Sequence, residues 1–341
     1  MTSIIKPPEL IKPPNLGIDL GTSYSRIASC DCFKSYGSTY LEMIHNTSDG
    51  DVTTPSVVYF NKSEIAVGHK AKALCSLYPD NVISFIKREI GKKWEKEIDG
   101  IKLTPETVLN QIFKTLLDKH GRFREYFITC PVCFNSFERK TIIEAAKLAG
   151  LKDVHLIDEP VAAARYFMYL NNIGLEHLDN DDIERIKLET IVDDDCNIPP
   201  CNRHGMLVYN LGGGFFDAAV ILIEDDKIKV VCADGAKLGG KDWDERIVKV
   251  LINKIAVSNG LYQEDVEKDS SIINELRQQA ETVKKELSNR LSTYVHITFK
   301  GKTEIITVTR AEFEDNTADL LERTIKITKD MIDLAKKKRN V

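Results

Sequence analysis

No stretch of this chain stays apolar over the roughly 20 residues that a helix needs to cross a bilayer, so no membrane-spanning role is expected. Charge of one sign is also scarce. Forty-seven basic against 52 acidic residues leave a formal net charge of -5, which argues against broad affinity for nucleic acid or an anionic membrane. Two common phosphate-binding signatures are missing. A P-loop would need a glycine five positions before Gly301-Lys302-Thr303, and His296 stands there. No G-x-G-x-x-G lies between a strand and a helix. The N-terminus lacks the apolar core and cleavage site of a signal peptide. It reads Ile-Lys-Pro-Pro twice (Ile5 to Pro8, Ile11 to Pro14), a proline-stiffened leader, and the compartment expected is the cytoplasm. Eight cysteines include one C-x-x-C pair, Cys130-Pro131-Val132-Cys133, but no second pair has ligand spacing. Cys196 and Cys201 stand apart in an acidic segment, so buried, reduced thiols are favoured over a zinc or redox site.

What the chain does have is length for two domains, 341 residues, and an ordinary hydrophobic share of 43%. Two glycine turns echo each other. Gly17-Ile18-Asp19-Leu20-Gly21-Thr22-Ser23-Tyr24 follows one alternating strand, and Val208-Tyr209-Asn210-Leu211-Gly212-Gly213-Gly214-Phe215 follows another. Each leads directly into a further strand. Small residues in such a hairpin let open backbone N–H groups approach a phosphate, and a carboxylate just before the turn can hold a cation's water. One such turn alone is an ordinary tight hairpin; two suggest a duplicated fold gripping one polyphosphate from both sides.

The remaining pattern fits two α/β lobes. Residues 1–14 form the leader, 15–170 lobe I, 171–205 an acid-rich surface insertion, and 206–341 lobe II, incomplete at its end. Strands dominate Leu16 to Phe60, with a turn at Ser48-Asp49-Gly50. Helical patterns cover Lys70 to Gly91 and Pro105 to His120. Asn135-x-x-Glu138 and Thr309-x-x-Glu312 read as capping boxes opening helices. Lobe II restarts with three meandering strands that turn at Asp225-Asp226. In a helix over Ile272 to Leu287, Leu276, Ala280, Val283 and Leu287 make the inward stripe. Glu281, Lys284, Lys285 and Ser288 share another face, where Glu281 and Lys285 also make an ordinary surface pair.

In order along the chain, these motifs resemble the ATPase domain of the 70-kilodalton heat-shock chaperones (the DnaK type). Gly17 to Ser25 looks like that family's first phosphate turn, and Ser84-Phe85-Ile86-Lys87-Arg88-Glu89-Ile90-Gly91 like its catalytic-lysine helix. Cys130 to Asn135 and Ile157-Asp158-Glu159-Pro160 look like its paired lobe I segments. Leu211 to Asp217 is similar to the second turn, and Leu238-Gly239-Gly240-Lys241-Asp242-Trp243-Asp244 to the Leu-Gly-Gly element. The resemblance implies an actin-like fold, two ribonuclease H-like lobes around a nucleotide cleft. It implies ATP/ADP and Mg²⁺ as cofactors, and J-domain co-chaperones and nucleotide-exchange factors as partners. Gly21, Thr22, Ser23 and Tyr24, with Gly212 and Gly213, would clasp phosphates. Asp19 and Asp217 would hold Mg²⁺ through its waters. Lys87 would stabilise the γ-phosphoryl group, Glu159 would place water or metal, and Asp217 and Asn210 complete the catalytic set. Gly240, Glu281, Lys284, Lys285 and Ser288 would line the nucleoside pocket.

The chain departs from that pattern in ways that matter chemically. Asn210 replaces an aspartate; in its neutral form an amide brings no negative charge and takes no proton. Phe215 replaces a threonine beside the phosphates, and Lys285 an arginine that stacks on the base. Ser136 and Lys241 replace an aspartate and a glutamate. The chain also stops before the family's closing strand, Gly-Gly-Ser-Thr-Arg turn and helix, so lobe II should show an unpaired sheet edge. The expectation is therefore weak, Mg-dependent ATP hydrolysis. A non-catalytic module that engages chaperone partners is the competing reading.

Overall fold

Alternation in Asn15–Asp19 draws out the first strand: Leu16 and Ile18 are buried, while Gly17 and Asp19 face the other way. A computed structural model describes residues 15–32, 39–44, 52–118, 120, 123–170, 203–224 and 227–339. The leader, positions 171–202 of the acidic insertion with Cys196 and Cys201, and the turns expected at Ser48–Gly50 and Asp225–Asp226 lie outside the described residues.

Lobe I opens with β1 (Asn15–Asp19), β2 (Tyr24–Cys32) and β3 (Thr39–Ile44), and the short β4 (Thr54–Pro55) pairs with β2. A small separate sheet of β5 (Val57–Phe60), β6 (Ile65–Val67) and β7 (Val82–Ser84) carries α1 (His69–Ala73). After the hairpin β8 (Lys96–Ile98) and β9 (Ile101–Leu103) come α2 (Pro105–Leu117), β10 (Tyr126–Cys130), α3 (Ser136–Leu148), β11 (Val154–Asp158) and α4 (Glu159–Leu170). The main sheet runs β11-β10-β1-β2-β3, parallel across β11, β10 and β1 and antiparallel from β1 to β3. Helices α2 and α3 cover one face of it. Val108, Leu109, Ile112, Phe113 and Leu116 meet Leu16, Ile18, Ile128, Ile142 and Ala145 in one cluster. Full burial of each large apolar side chain is worth about 1.5–3 kcal/mol.

The local signals hold at α3. Asn135 accepts from the N–H of Glu138, and Glu138 accepts from the N–H of Asn135, the reciprocal box expected. They fail over Lys70 to Gly91. That stretch is not one helix but α1, 3₁₀ turns at Pro79–Asn81 and Ile86–Arg88, and β7 between them. Pro79 interrupts the helical ladder, and the Val82-Ile83 pair packs as a strand beside β5.

Lobe II repeats the opening meander with β12 (Arg203–Leu211), β13 (Phe216–Glu224) and β14 (Lys227–Ala236). It continues with α5 (Gly240–Asn259), α6 (Gln263–Glu267), α7 (Ser270–Leu287), the hairpin β15 (Ser292–Phe299) and β16 (Lys302–Thr309), and α8 (Arg310–Arg339). Strand β13 is buried on both faces. Phe216 and Ala218 pack beneath Leu320 and Met331 of α8, while Ala219, Ile221 and Ile223 meet Ala164 and Met168 of α4. Helix α4, which follows the last strand of lobe I, thus lends its apolar side to lobe II. Among the described residues β12 pairs only with β13, and its Leu207, Tyr209 and Leu211 are exposed, as expected of an open edge.

Candidate functional site

The two glycine turns meet. A Cβ built on Gly213 would lie 2.3 Å from Ser23 Oγ, and one on Gly214 would lie 2.5 Å from the Thr22 methyl. A side chain at either glycine would have to push aside the Ser23 or Thr22 side chain facing it. Each turn is braced from behind. Ser56 Oγ donates to Gly21 O at 2.8 Å, and the Ser56 N–H donates to Ser23 O at 2.9 Å. The N-terminus of α5 supports the second turn, with Gly240 N–H donating to Gly212 O (2.9 Å) and Lys241 N–H to Gly213 O (2.8 Å). A cavity of about 1640 Å³ begins at these turns, lined there by Asp19, Thr22, Ser23, Tyr24, Lys87, Glu159, Asn210, Gly212 and Gly213.

Three sequence-predicted side chains, Lys87, Glu159 and Asn210, meet at its floor, and a fourth, Asp217, lies buried behind them, paired across the sheet with Asn210. Lys87, 3% exposed, donates to Leu20 O and to Glu159 Oε1 (2.7 Å). Asn210 Nδ2 donates to the other Glu159 oxygen, Oε2, at 2.9 Å. Both oxygens of Glu159 are therefore engaged, one by a cation and one by an amide. Asp217 is fully buried. Its Oδ1 accepts from the Val132 N–H at 2.9 Å, and its Oδ2 has no hydrogen-bond partner among the described residues. Burial, with the Glu159 charge adding to it, pushes the Asp217 carboxyl up to about 7. Asp19 stands exposed at the end of β1, its Oδ1 accepting from Thr129 Oγ1 at 3.2 Å.

The residues expected from α7 on the nucleoside side stand beside the cavity, joined to it at Tyr24. The inward stripe is as read: Leu276, Ala280, Val283 and Leu287 are buried. Glu281, however, is tied to lobe I. Lys72 of α1 donates to Glu281 Oε2 (3.2 Å) and to Tyr24 Oη (2.7 Å), and Lys285 pairs with Glu281 Oε1 at 2.8 Å. Burial opposes ionisation of Glu281, but the bonds and charges of Lys285 and Lys72 outweigh it and hold the carboxyl below its ordinary range. Lys284 pairs with Asp244 at 2.6 Å and donates to Gly240 O at 3.1 Å. Ser288 caps the exposed end of the helix, its Oγ on Lys284 O. None of Gly240, Glu281, Lys284, Lys285 or Ser288 lines the large cavity.

Sequence reading missed the links between lobes. Arg88 forks onto Asp242 at 3.0 and 3.2 Å, and Lys237 reaches Glu138 at 2.8 Å. Phe215 crosses from lobe II into the lobe I core, edge-to-face on Phe134 at 5.2 Å. Arg88, Asp242 and Phe215 all fall inside the recognised motifs; Thr129 and Lys72 carried no local signal. The C-x-x-C thiols are held in their protonated form. Burial pushes Cys130 up to about 12 and Cys133 up to about 11, so neither supplies a thiolate near neutral pH.

The family model described as Hsp70 protein matches residues 15–114 and 97–340. The chain is also similar to the chaperone protein DnaK of Thermosipho melanesiensis, 33% identical over 336 residues that cover 95% of this chain and 50% of that protein. The chain thus spans about half the length of that curated relative. Sheet order, facing glycine turns and sequence agree: the chain belongs to the Hsp70 family and has its two-lobed, actin-like ATPase-domain fold.

Proposed function

We propose that the chain is the nucleotide-binding domain of a divergent, cytoplasmic Hsp70-type chaperone. In this reading residues 15–170 and 206–341 are its two lobes, and an adenine nucleotide with Mg²⁺ sits in the cleft between the turns. The observation that supports it most is Asp217 Oδ2: a buried carboxylate oxygen with no partner among the described residues, directly behind the cleft on the residue that pairs across the sheet with Asn210 of its lining. Such an atom is costly unless a cation or a proton meets it. The donor set suits Mg²⁺, which keeps several waters and asks for one or two carboxylates, here Asp19 and Asp217. When bound, the magnesium nucleotide supplies an electrophilic phosphoryl group whose charge is spread over its oxygens.

The chain's own groups then divide the work. Ser23, Tyr24, Gly212 and Gly213, all half-buried along the cavity, offer backbone and hydroxyl donors to phosphate oxygens. Glu281, Lys284, Lys285 and Ser288, with Gly240, form the nucleoside side. That role requires Glu281 and Lys284 to exchange their present partners for the ligand. Lys87 and Glu159 neutralise each other, and Asn210 holds Glu159 with an N–H. A side chain that donates at position 210 cannot also take a proton from water. The position that would supply a proton acceptor beside Glu159 is thus an amide, and hydrolysis is correspondingly weak.

The second reading, a non-catalytic module for J-domain or exchange-factor partners, draws support from the Arg88–Asp242, Lys237–Glu138 and Phe215 links. They join the lobes through protein groups alone. Calorimetry with Mg-ATP and single-turnover hydrolysis, repeated with an exchange factor, separate the two. Nucleotide binding with slow turnover supports the proposal. Partner binding with no nucleotide affinity replaces it with the second reading.

A further inference from the structure

We propose that Phe215 makes the cleft select on phosphate number, so that it takes a nucleoside diphosphate in preference to the triphosphate; this deepens, and rests on, the nucleotide reading above. The cleft is graded in exposure. Ser23, Tyr24, Gly212 and Gly213 are all partly open along the cavity. Deeper in the same cavity the lining is packed: Thr22 and Gly214 are buried against each other, and Phe215 and Lys87 are each 3% exposed.

This packing engages the ammonium that would meet a third phosphoryl group. Lys87 Nζ donates to Leu20 O and Glu159 Oε1, and the Phe215 ring lies 5.8 Å from it, within cation–π range. The ring cannot swing aside freely, because Phe134 meets it edge-on at 5.2 Å inside the lobe I core. A γ-phosphoryl group reaching Lys87 must therefore expel a packed aromatic ring or break the buried Lys87–Glu159 pair. It would also carry its added charge toward Glu159. A diphosphate held at Ser23, Tyr24, Gly212 and Gly213 asks for no such rearrangement. Phe215 is thus a specificity-determining residue, acting by volume and by occupying one side of the lysine.

The test is calorimetric, on the full chain, with Mg-ADP and with the magnesium complex of the β,γ-imido analogue of ATP. Wild type should bind the diphosphate about tenfold or more tightly than the analogue, the scale of one lost charge-assisted contact. Phe215→Thr should close that gap to within about threefold, mainly by gaining affinity for the analogue. Equal affinities in wild type overturn the proposal, and Phe215→Leu, which keeps an apolar side chain in the lobe I core, takes the place of Phe215→Thr should that variant fail to fold. An unchanged ratio in a folded Phe215→Thr overturns the role of the ring. Binding of neither ligand overturns the nucleotide reading itself, and the preference with it.

Discussion

Replacing Asn210 by aspartate tests the wiring of the cleft floor. In the native chain the Asn210 amide donates to Glu159 Oε2 at 2.9 Å, and that carboxylate is already paired with Lys87. Asn210→Asp removes a hydrogen bond to a charged group, worth about 1.5–3 kcal/mol. It also sets a second carboxylate within contact of the first, in a site that holds Asp217 as well. Two like charges about 4 Å apart repel by roughly 4 kcal/mol at an effective dielectric constant near 20. A shared proton relieves most of this, so the net cost should be about 2–4 kcal/mol near pH 8 and smaller near pH 5. The new acid is stabilised in its protonated form, so the penalty grows as pH rises through its raised pKa. Urea unfolding of the metal-free protein at both pH values reads it. Mg²⁺ with nucleotide should return more stability to the variant than to wild type, and single-turnover hydrolysis should rise. Equal stability of the two proteins at pH 8 without metal would refute the reasoning. An unchanged turnover would remove Asn210 as the cause of weak hydrolysis.

The same floor predicts the behaviour of Asp217→Asn. The carboxyl is lifted from 3.8 to about 7, so its ionisation costs stability increasingly between those values. At about 1.4 kcal/mol per unit the penalty approaches 4 kcal/mol above pH 7 and vanishes near pH 4. The variant should therefore be the more stable metal-free protein at pH 8 and indistinguishable at pH 4; an equal effect at both would contradict the assignment. For the thiols, iodoacetamide at pH 8 with peptide mapping should leave Cys130 and Cys133 unmodified in the folded chain and alkylate both in urea. Prompt labelling of either in the folded state would show a reactive site.

Local grammar carried much of this fold. The capping boxes at Asn135 and Thr309, the α7 stripe and the paired turns were all legible, because each depends on residues a few positions apart. The stretch from Lys70 to Gly91 was misread since its helical spacing is broken by Pro79 and by a strand pair whose partner, β5, lies earlier in the chain. The interlobe bonds had no local trace. Arg88 and Asp242 are 154 positions apart, and Lys72 and Glu281 are 209 apart. Phe215 was visible as a bulky residue beside the turn, but its insertion under Phe134 depends on how the lobes dock. A functional residue that works across a cleft is specified by packing, which no single window of sequence encodes.

Calorimetric titration of Mg-ADP into wild type and Gly213→Val asks most directly whether opposed turns hold one nucleotide. The added side chain would collide with Ser23, since even its Cβ falls 2.3 Å from Ser23 Oγ. The account predicts one site per wild-type chain, and binding weakened by about tenfold or more in a variant whose circular dichroism is unchanged. No binding by wild type, or equal affinity in the folded variant, would contradict it.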